Sequence, residues 1–223
     1  MKNILITGAN RGIGLELTKK LAKQNQIFAT TRTMSSDDEL HSIENTNVYQ
    51  LDLLDDKSMD ELIHRLDEVP IDLVINNAGI FHDEQFNGLN HDLWLDEMKV
   101  NAISPISLTH RLKNNLVNGK DKKVVFISSQ MGSIDDNYSG NYYFYRSSKA
   151  ALNASAKSIS IDWKDDGISV LILHPGWVQT DMGGKTAKIT VEESVSGMID
   201  LINNHNLKDT GIFLNYAGKK MEW

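Results

Sequence analysis

The stretch Ile4–Gly14, ILITGANRGIG, decides the fold. Ile4-Leu5-Ile6-Thr7 is short, apolar and partly β-branched, the composition of a strand buried on both faces. Three glycines follow, Gly8, Gly12 and Gly14, around Asn10 and Arg11. Behind them Ile13, Leu17 and Leu21 recur at every fourth position, one face of a helix. Strand, glycine turn and helix start together make an anion site. Glycines let the backbone approach a pyrophosphate, and the unpaired N–H groups of the first helical turn point at it. The pattern is TGxxxGxG rather than GxGxxG, and glycine clusters also serve tight turns. Context gives this one weight, because it opens the first strand–helix unit of an alternating chain.

The alternation runs to the end of the sequence. Strand-like runs lie at Asn3–Thr7, Ile27–Thr31, Asn47–Leu51, Asp72–Ile75, Lys123–Ser128, Ser169–Leu173 and Gly211–Asn215. Helical patterns separate them, the longest at Asn90–Val117 and Tyr142–Trp163. The expectation is α/β: one doubly wound, Rossmann-type sheet of about seven parallel strands with helices on both faces, in a single domain over residues 1–223. Ser36 with Glu39 has the spacing of a capping box. Asp55-Asp56 reads as helix-start charge. Gly183–Lys188, GGKTAK, reads as a flap. Its Gly184-Lys185-Thr186 imitates the end of a P-loop, but the glycine that motif needs five residues earlier is Gln179, so no nucleoside-triphosphate site follows.

Composition narrows the function. Acidic residues (30) exceed basic ones (23), a net charge of −7, which disfavours nucleic acid as a partner. Cysteine is absent, which excludes disulfides and a thiol nucleophile and fits a reducing compartment. The first residues lack a signal-peptide pattern and no apolar run approaches membrane-spanning length, so a soluble, cytoplasmic protein without a membrane partner is expected. The seven histidines are scattered without paired ligand spacing, so no metal is indicated.

The candidate chemistry sits in Tyr145–Lys149, YRSSK. On a helix, Tyr145 and Lys149 share one face, one turn apart. Alone, such a pair usually marks a solvated edge. Two neighbours change the weighing: Asn76-Asn77-Ala78-Gly79 ends one strand, and Ser128-Ser129 ends another within ISSQMG.

Taken together these motifs resemble the short-chain dehydrogenase/reductase superfamily along essentially the whole chain. TGxxxGxG at Thr7–Gly14, NNAG at Asn76–Gly79, the Ser129–Tyr145–Lys149 set, Asn101, and Pro175-Gly176 with Thr180 follow one another in the family's order. YRSSKAALN and HPGWVQTDMGG resemble its small carbonyl reductase branch. The resemblance implies hydride transfer between NADP (NADPH) and a small-molecule carbonyl substrate. It implies Tyr145 as general acid, Lys149 lowering the phenol's pKa and binding the nicotinamide ribose, Ser129 hydrogen-bonding the substrate oxygen, and Asn101 as fourth member. Ser129 is chosen over Ser128 and Ser133 on the ISSxxG pattern. The implied cofactor contacts are Gly8, Asn10, Arg11, Gly12, Ile13, Gly14, Arg32, Asp52, Leu53, Asn77, Ala78, Gly79, Tyr145, Lys149, Pro175, Gly176, Val178 and Thr180. Asp52 has a rival reading as a helix cap.

NADP is preferred over NAD because the second strand ends Thr31-Arg32-Thr33, with no acid before Asp37 to take a ribose 2′-OH. Arg32 and Arg11 are the expected clamp for a 2′-phosphate. Phe81, Ile134, Tyr138, Tyr142, Trp177, Val178 and Met182 flank the site in sequence and hint at a lipophilic aldehyde, ketone or quinone; several read equally well as core. The added length between Ser129 and Tyr145 is assigned to Ser133–Gly140. The two long helices imply a homodimer or higher homo-oligomer, with Trp94, Leu95 and Met98 as contacts or as subunit core. Two other functions stay open: an NADPH-binding regulatory or signalling protein, and an NAD-dependent alcohol dehydrogenase. Finally, Pro105 has no N–H for the Asn101 carbonyl four residues earlier. In the family, that carbonyl holds a water linked to the catalytic lysine.

Overall fold

Short β-branched runs become strands here because each is covered on both faces. In the structure, a computed structural model that describes residues 1–35, 39–83 and 89–223, seven strands form one sheet. They are β1 (Asn3–Ile6), β2 (Gln26–Thr31), β3 (Thr46–Gln50), β4 (Leu73–Asn76), β5 (Lys123–Ile127), β6 (Ser169–His174) and β7 (Ile212–Asn215). Their order is β3-β2-β1-β4-β5-β6-β7, and every neighbouring pair is parallel. The helices are α1 (Gly12–Leu21), α2 (Asp56–Arg65), α3 (His91–Met98), α4 (Ser104–Arg111), α5 (Lys113–Asn118), α6 (Tyr143–Asp162) and α7 (Val191–Asn204).

Period-two alternation divides the core into two layers. Leu5, Val74, Phe126 and Ile172 face α2, α4 and α6, where Met59, Leu62, Leu108, Leu152 and Ala156 meet them. Ile4, Ile6, Ile75, Ile127 and Leu173 face α1 and α7, against Leu17, Leu21, Val195 and Met198. The chain winds outward from β1 to β3, then returns past β1 to β4. That reversal opens a crevice at the carboxyl ends of the strands, where this architecture binds ligands. The segments after β1, β2, β4, β5 and β6 all empty onto that edge.

Three of the seven helix starts are fixed by side chains. Asp55 accepts from Lys57 N at α2, Asn90 from Asp92 N and Leu93 N at α3, and Thr190 from Glu193 N at α7. The expected charge at Asp55-Asp56 is thus the cap and first turn of α2. Ser36 of the expected capping box, and Asp37, lie outside the described residues; Glu39 opens a short 3₁₀ turn. The expected helix over Asn90–Val117 is α3, a wider π turn at Lys99–Ile103, α4 and α5. Among the described residues no helix is long and apolar enough to cross a membrane.

Two histidines, His205 buried and His174 half-buried, are held uncharged at neutral pH. His174 ends β6 and His205 follows α7, and burial depresses both pKa values from 6.5 to about 4. Between those values the unfolded chain holds protons that the folded chain refuses, so stability should be intact above about 6.5 and fall as pH drops toward about 4. Denaturant melts at neutral and mildly acidic pH should show that loss, and His205→Asn should reduce it, leaving the share that belongs to His174.

Candidate active site

The glycine turn and the end of β4 are built as one unit. Thr7 Oγ1 accepts the backbone N–H groups of Asn77 at 3.0 Å and Ala78 at 3.1 Å. In return Asn77 Nδ2 donates to the carbonyls of Thr7 and Gly8, both at 3.0 Å. Gly8 has φ +63°, and a Cβ there would stand 2.9 Å from Ala78 Cα. A Cβ on Gly14 would be 2.1 Å from the Gly8 oxygen. The turn therefore closes onto Ala78-Gly79 in a way side chains would forbid. Thr7, buried at its centre, is a site residue that the sequence reading leaves out; its signal is its place directly before the first glycine of the turn.

Helix α1 begins without a side-chain cap and without an acid in its first turn. Its leading N–H groups, from Gly12 and Ile13 onward, are left for an anion. Thr180, after β6, closes the other side, 3.2 Å from a Cβ on Gly12. Pro175 O accepts from Ser194 Oγ, Gly176 has φ +88°, and Val178 is buried and bridged to Ile189. That bridge closes the base of the expected Gly183–Lys188 flap, and Trp177 Nε1 donates to Gly183 O at 2.7 Å.

The two arginines separate. Arg32 is exposed at the end of β2 and forms no ion pair with the described residues. Arg11 instead lies against Asp181, Nη1 to Oδ2 3.2 Å, an exposed pair of the weak kind. Asp52 Oδ1 accepts from Leu54 N at 2.9 Å, a local turn, while buried Leu53 gives its carbonyl to Ser104 Oγ. The helix cap is Asp55, not Asp52.

The serines sort themselves by partner. Ser128 Oγ is bonded to Asn153 Oδ1 at 2.6 Å in the core, and Ser133 Oγ to Trp223 O at 3.2 Å. Ser129, just past β5, accepts the Met131 N–H at 3.1 Å and lies close enough to the Tyr145 phenol to pull its pKa down. Tyr145 and Lys149 stand one turn apart on α6, with Lys149 Nζ 5.7 Å from the Tyr145 ring centroid. Lys149 is buried, and its Nζ donates to Ile127 O at 2.9 Å.

The electrostatics differ from expectation. A lysine-lowered phenol pKa was expected. Instead burial pushes Tyr145 up to about 12, with Ser129 pulling it down and the Glu97 charge pushing it up. Burial also brings Lys149 down to about 8, opposed by Glu97. Desolvation penalises each charged form more than the pair supports it. The site keeps a protonated phenol beside an amine that titrates close to neutrality.

Asn101 is fully buried in the π turn. Its Oδ1 accepts from Ile80 N at 2.9 Å, and its Nδ2 donates to Ile80 O at 2.9 Å and Ser148 Oγ at 3.1 Å. Ser104 N–H donates to Lys99 O, one residue further back than in an α-helix. The next residue, Pro105, has no N–H for the Asn101 carbonyl, so the α-type bond is missing there.

Of the expected wall, Phe81 lies edge-on to Tyr145 at 5.2 Å and 5.6 Å from Tyr142. Tyr142 adopts a left-handed backbone, φ 55°, at the start of α6. Ile134 and Tyr138 of the Ser133–Gly140 loop are 76% and 91% exposed, and the loop is tied by Ile134 N and Asp135 N to Trp223 O. Trp94 turns inward, stacked 4.9 Å from Phe144, whereas Leu95 is exposed. A separate cleft of about 390 Å³ lies at the opposite end of the sheet, between α1 and α7. Three of its four lysines are engaged, Lys2 with Asp121, Lys20 with Glu16 and Glu192, and Lys123 with Ile202 O, and none of the candidate residues reaches it.

Residues 2–190 match the short chain dehydrogenase family model. This chain belongs to that family. Among its relatives, the C-signal protein of Myxococcus xanthus is 38% identical over 157 residues, covering 69% of this chain and 93% of that protein. The carbonyl reductase Sniffer of D. melanogaster superposes with a TM-score of 0.93 at 32% identity, covering the whole of both chains. An NADPH-bound carbonyl reductase from chicken fatty liver gives 0.91 at 34%, covering 100% of this chain and 99% of that one. The likeness to carbonyl reductases expected from the short-chain dehydrogenase motifs is thus found across the fold.

Asn101→Ala would strand the Ile80 N–H and carbonyl in a half-buried position. A loss of about 2 kcal/mol or more is expected, because unsatisfied buried groups cost roughly 1–3 kcal/mol each. Urea unfolding of the variant measures it.

Proposed function

We propose that the protein is an NADPH-dependent carbonyl reductase acting on a small, lipophilic aldehyde, ketone or quinone. The observation that carries this reading is the meeting of Ser129, Tyr145, Lys149 and Asn101 beside the glycine turn, at the carboxyl edge of the sheet. NADPH, when bound, supplies the hydride; the protein supplies position and a proton. The chain's residues fit that cofactor. Gly8 and Gly14 allow close backbone approach, and the uncapped start of α1 suits a pyrophosphate. Arg32 projects at the end of β2, where no described residue offers a carboxylate to the ribose. Arg11 joins it once released from Asp181.

Ser129 orients the substrate oxygen and Tyr145 gives it a proton. The phenol is protonated at neutral pH, as a proton donor must be, although a pKa raised to about 12 also makes it a weaker acid. Lys149, with three donor hydrogens, keeps one on Ile127 O and has others for the ribose and the water path. The Asn101 carbonyl, unserved by Pro105, is the acceptor at the inner end of that path. Phe81 and Tyr142 form the apolar wall beside Tyr145.

The reading takes residues 1–223 as one domain, since the sheet runs from Asn3 to Asn215. It takes a cytoplasmic homodimer or higher homo-oligomer, for which Leu95 on α3 and Ile161 on α6, 66% and 64% exposed, offer apolar contacts. A second reading, a signalling protein, draws on the likeness to C-signal. The complete Ser–Tyr–Lys set argues for turnover instead.

Tyr145→Phe should bind cofactor normally and lose roughly 10²–10⁴-fold in carbonyl reduction, the usual contribution of general acid catalysis. Near-normal reduction would remove the assignment. Arg32→Ala should raise KM for NADPH while leaving that for NADH almost unchanged; equal kcat/KM for the two cofactors in the unmodified enzyme would refute the NADPH preference.

A further inference from the structure

Glu97 occupies the last turn of α3 and is wholly shielded from solvent. A carboxylate so deep is uncommon unless it is held. Its Oε1 accepts the His82 backbone N–H at 2.6 Å and lies 3.0 Å from His82 Nδ1. Four residues later, Asn101 takes both the N–H and the carbonyl of Ile80. Two side chains of one helical run thus hold alternate residues of the strip leaving β4. Phe81, between them, is the residue set edge-on against Tyr145 at 5.2 Å.

The same carboxylate acts on both ionisable groups of α6. It opposes ionisation of the Tyr145 phenol and supports the charge on Lys149. The titratable groups facing it include His82 from the strip and Tyr145 and Lys149 from α6. None of the motifs that mark the family contains this residue.

We propose that Glu97, held by His82, is a positioning residue of the reaction: it fixes the Phe81 strip over Tyr145 and supplies the negative charge that keeps the phenol's proton in place. The inference rests on Tyr145 being the proton donor. Reduction needs the phenol and alcohol oxidation needs the phenolate. One group governs both directions, so removing the Glu97 charge must move both pH limits together, toward lower pH.

The test is an ultraviolet titration of the Tyr145 phenolate in the free protein, taken as the difference between each protein and its Tyr145→Phe counterpart. It is run for the unmodified chain and for Glu97→Gln, with NADPH-dependent reduction followed over the same pH range. Glu97→Gln should shift the phenol titration to lower pH, because a like charge beside an acid disfavours its ionisation. The alkaline limit of reduction should shift with it. If Glu97→Gln does not fold, Glu97→Met, which removes the buried charge at similar volume, carries the same measurement. An unchanged titration in a folded variant overturns the proposal, even where Tyr145→Phe is inactive. Full reduction by Tyr145→Phe instead removes the donor assignment and, with it, the role proposed for Glu97.

Discussion

The buried amide of Asn101 is the contact on which the site depends. One side chain holds both backbone groups of Ile80 and the hydroxyl of Ser148. It therefore joins the strip leaving β4 to the helix that carries Tyr145 and Lys149. In a buried place, three directional bonds leave little freedom, because each would be costly to leave unmade. The π turn around it is part of the same solution. An ordinary α-helix would satisfy its own backbone and present side chains at fixed 100° steps. The widened turn before Pro105 relaxes both constraints at the position where the site needs them.

Much of this was legible in the sequence, for physical reasons that differ by element. The sheet was readable because parallel strands buried on both faces must be nearly continuous apolar runs, and Ile4–Ile6, Leu73–Ile75 and Val124–Ile127 are such runs. The expected Tyr142–Trp163 helix differs from α6 by one residue at each end. Ser129 could be told from Ser128 only by motif in the sequence; in space the two differ by which side of the sheet edge they leave, one toward Asn153 and one toward Tyr145.

Other features had no local signal. Glu97 looked like any acid on an amphipathic helix, and only its packing under His82 distinguishes it. Arg11 was read from the glycine turn alone, but its partner Asp181 is 170 positions away. The direction of the Tyr145 pKa was misjudged because spacing reveals a neighbouring cation and says nothing of the desolvation around it. Burial is a property of the whole fold, and here it outweighs the pair.

The bonds between Thr7 and Asn77 bear on how the protein is made. They join residues 70 positions apart, and β1 completes its pairing only when β4 arrives. A nascent chain therefore displays its central strand, with one edge unpaired, until more than a third of the sequence has left the ribosome. Such non-local pairing slows folding and exposes apolar edges to other chains. The glycine turn cannot acquire its final shape, or any nucleotide, before that moment. During synthesis, then, this fold has no help from a bound nucleotide until β4 has joined the sheet.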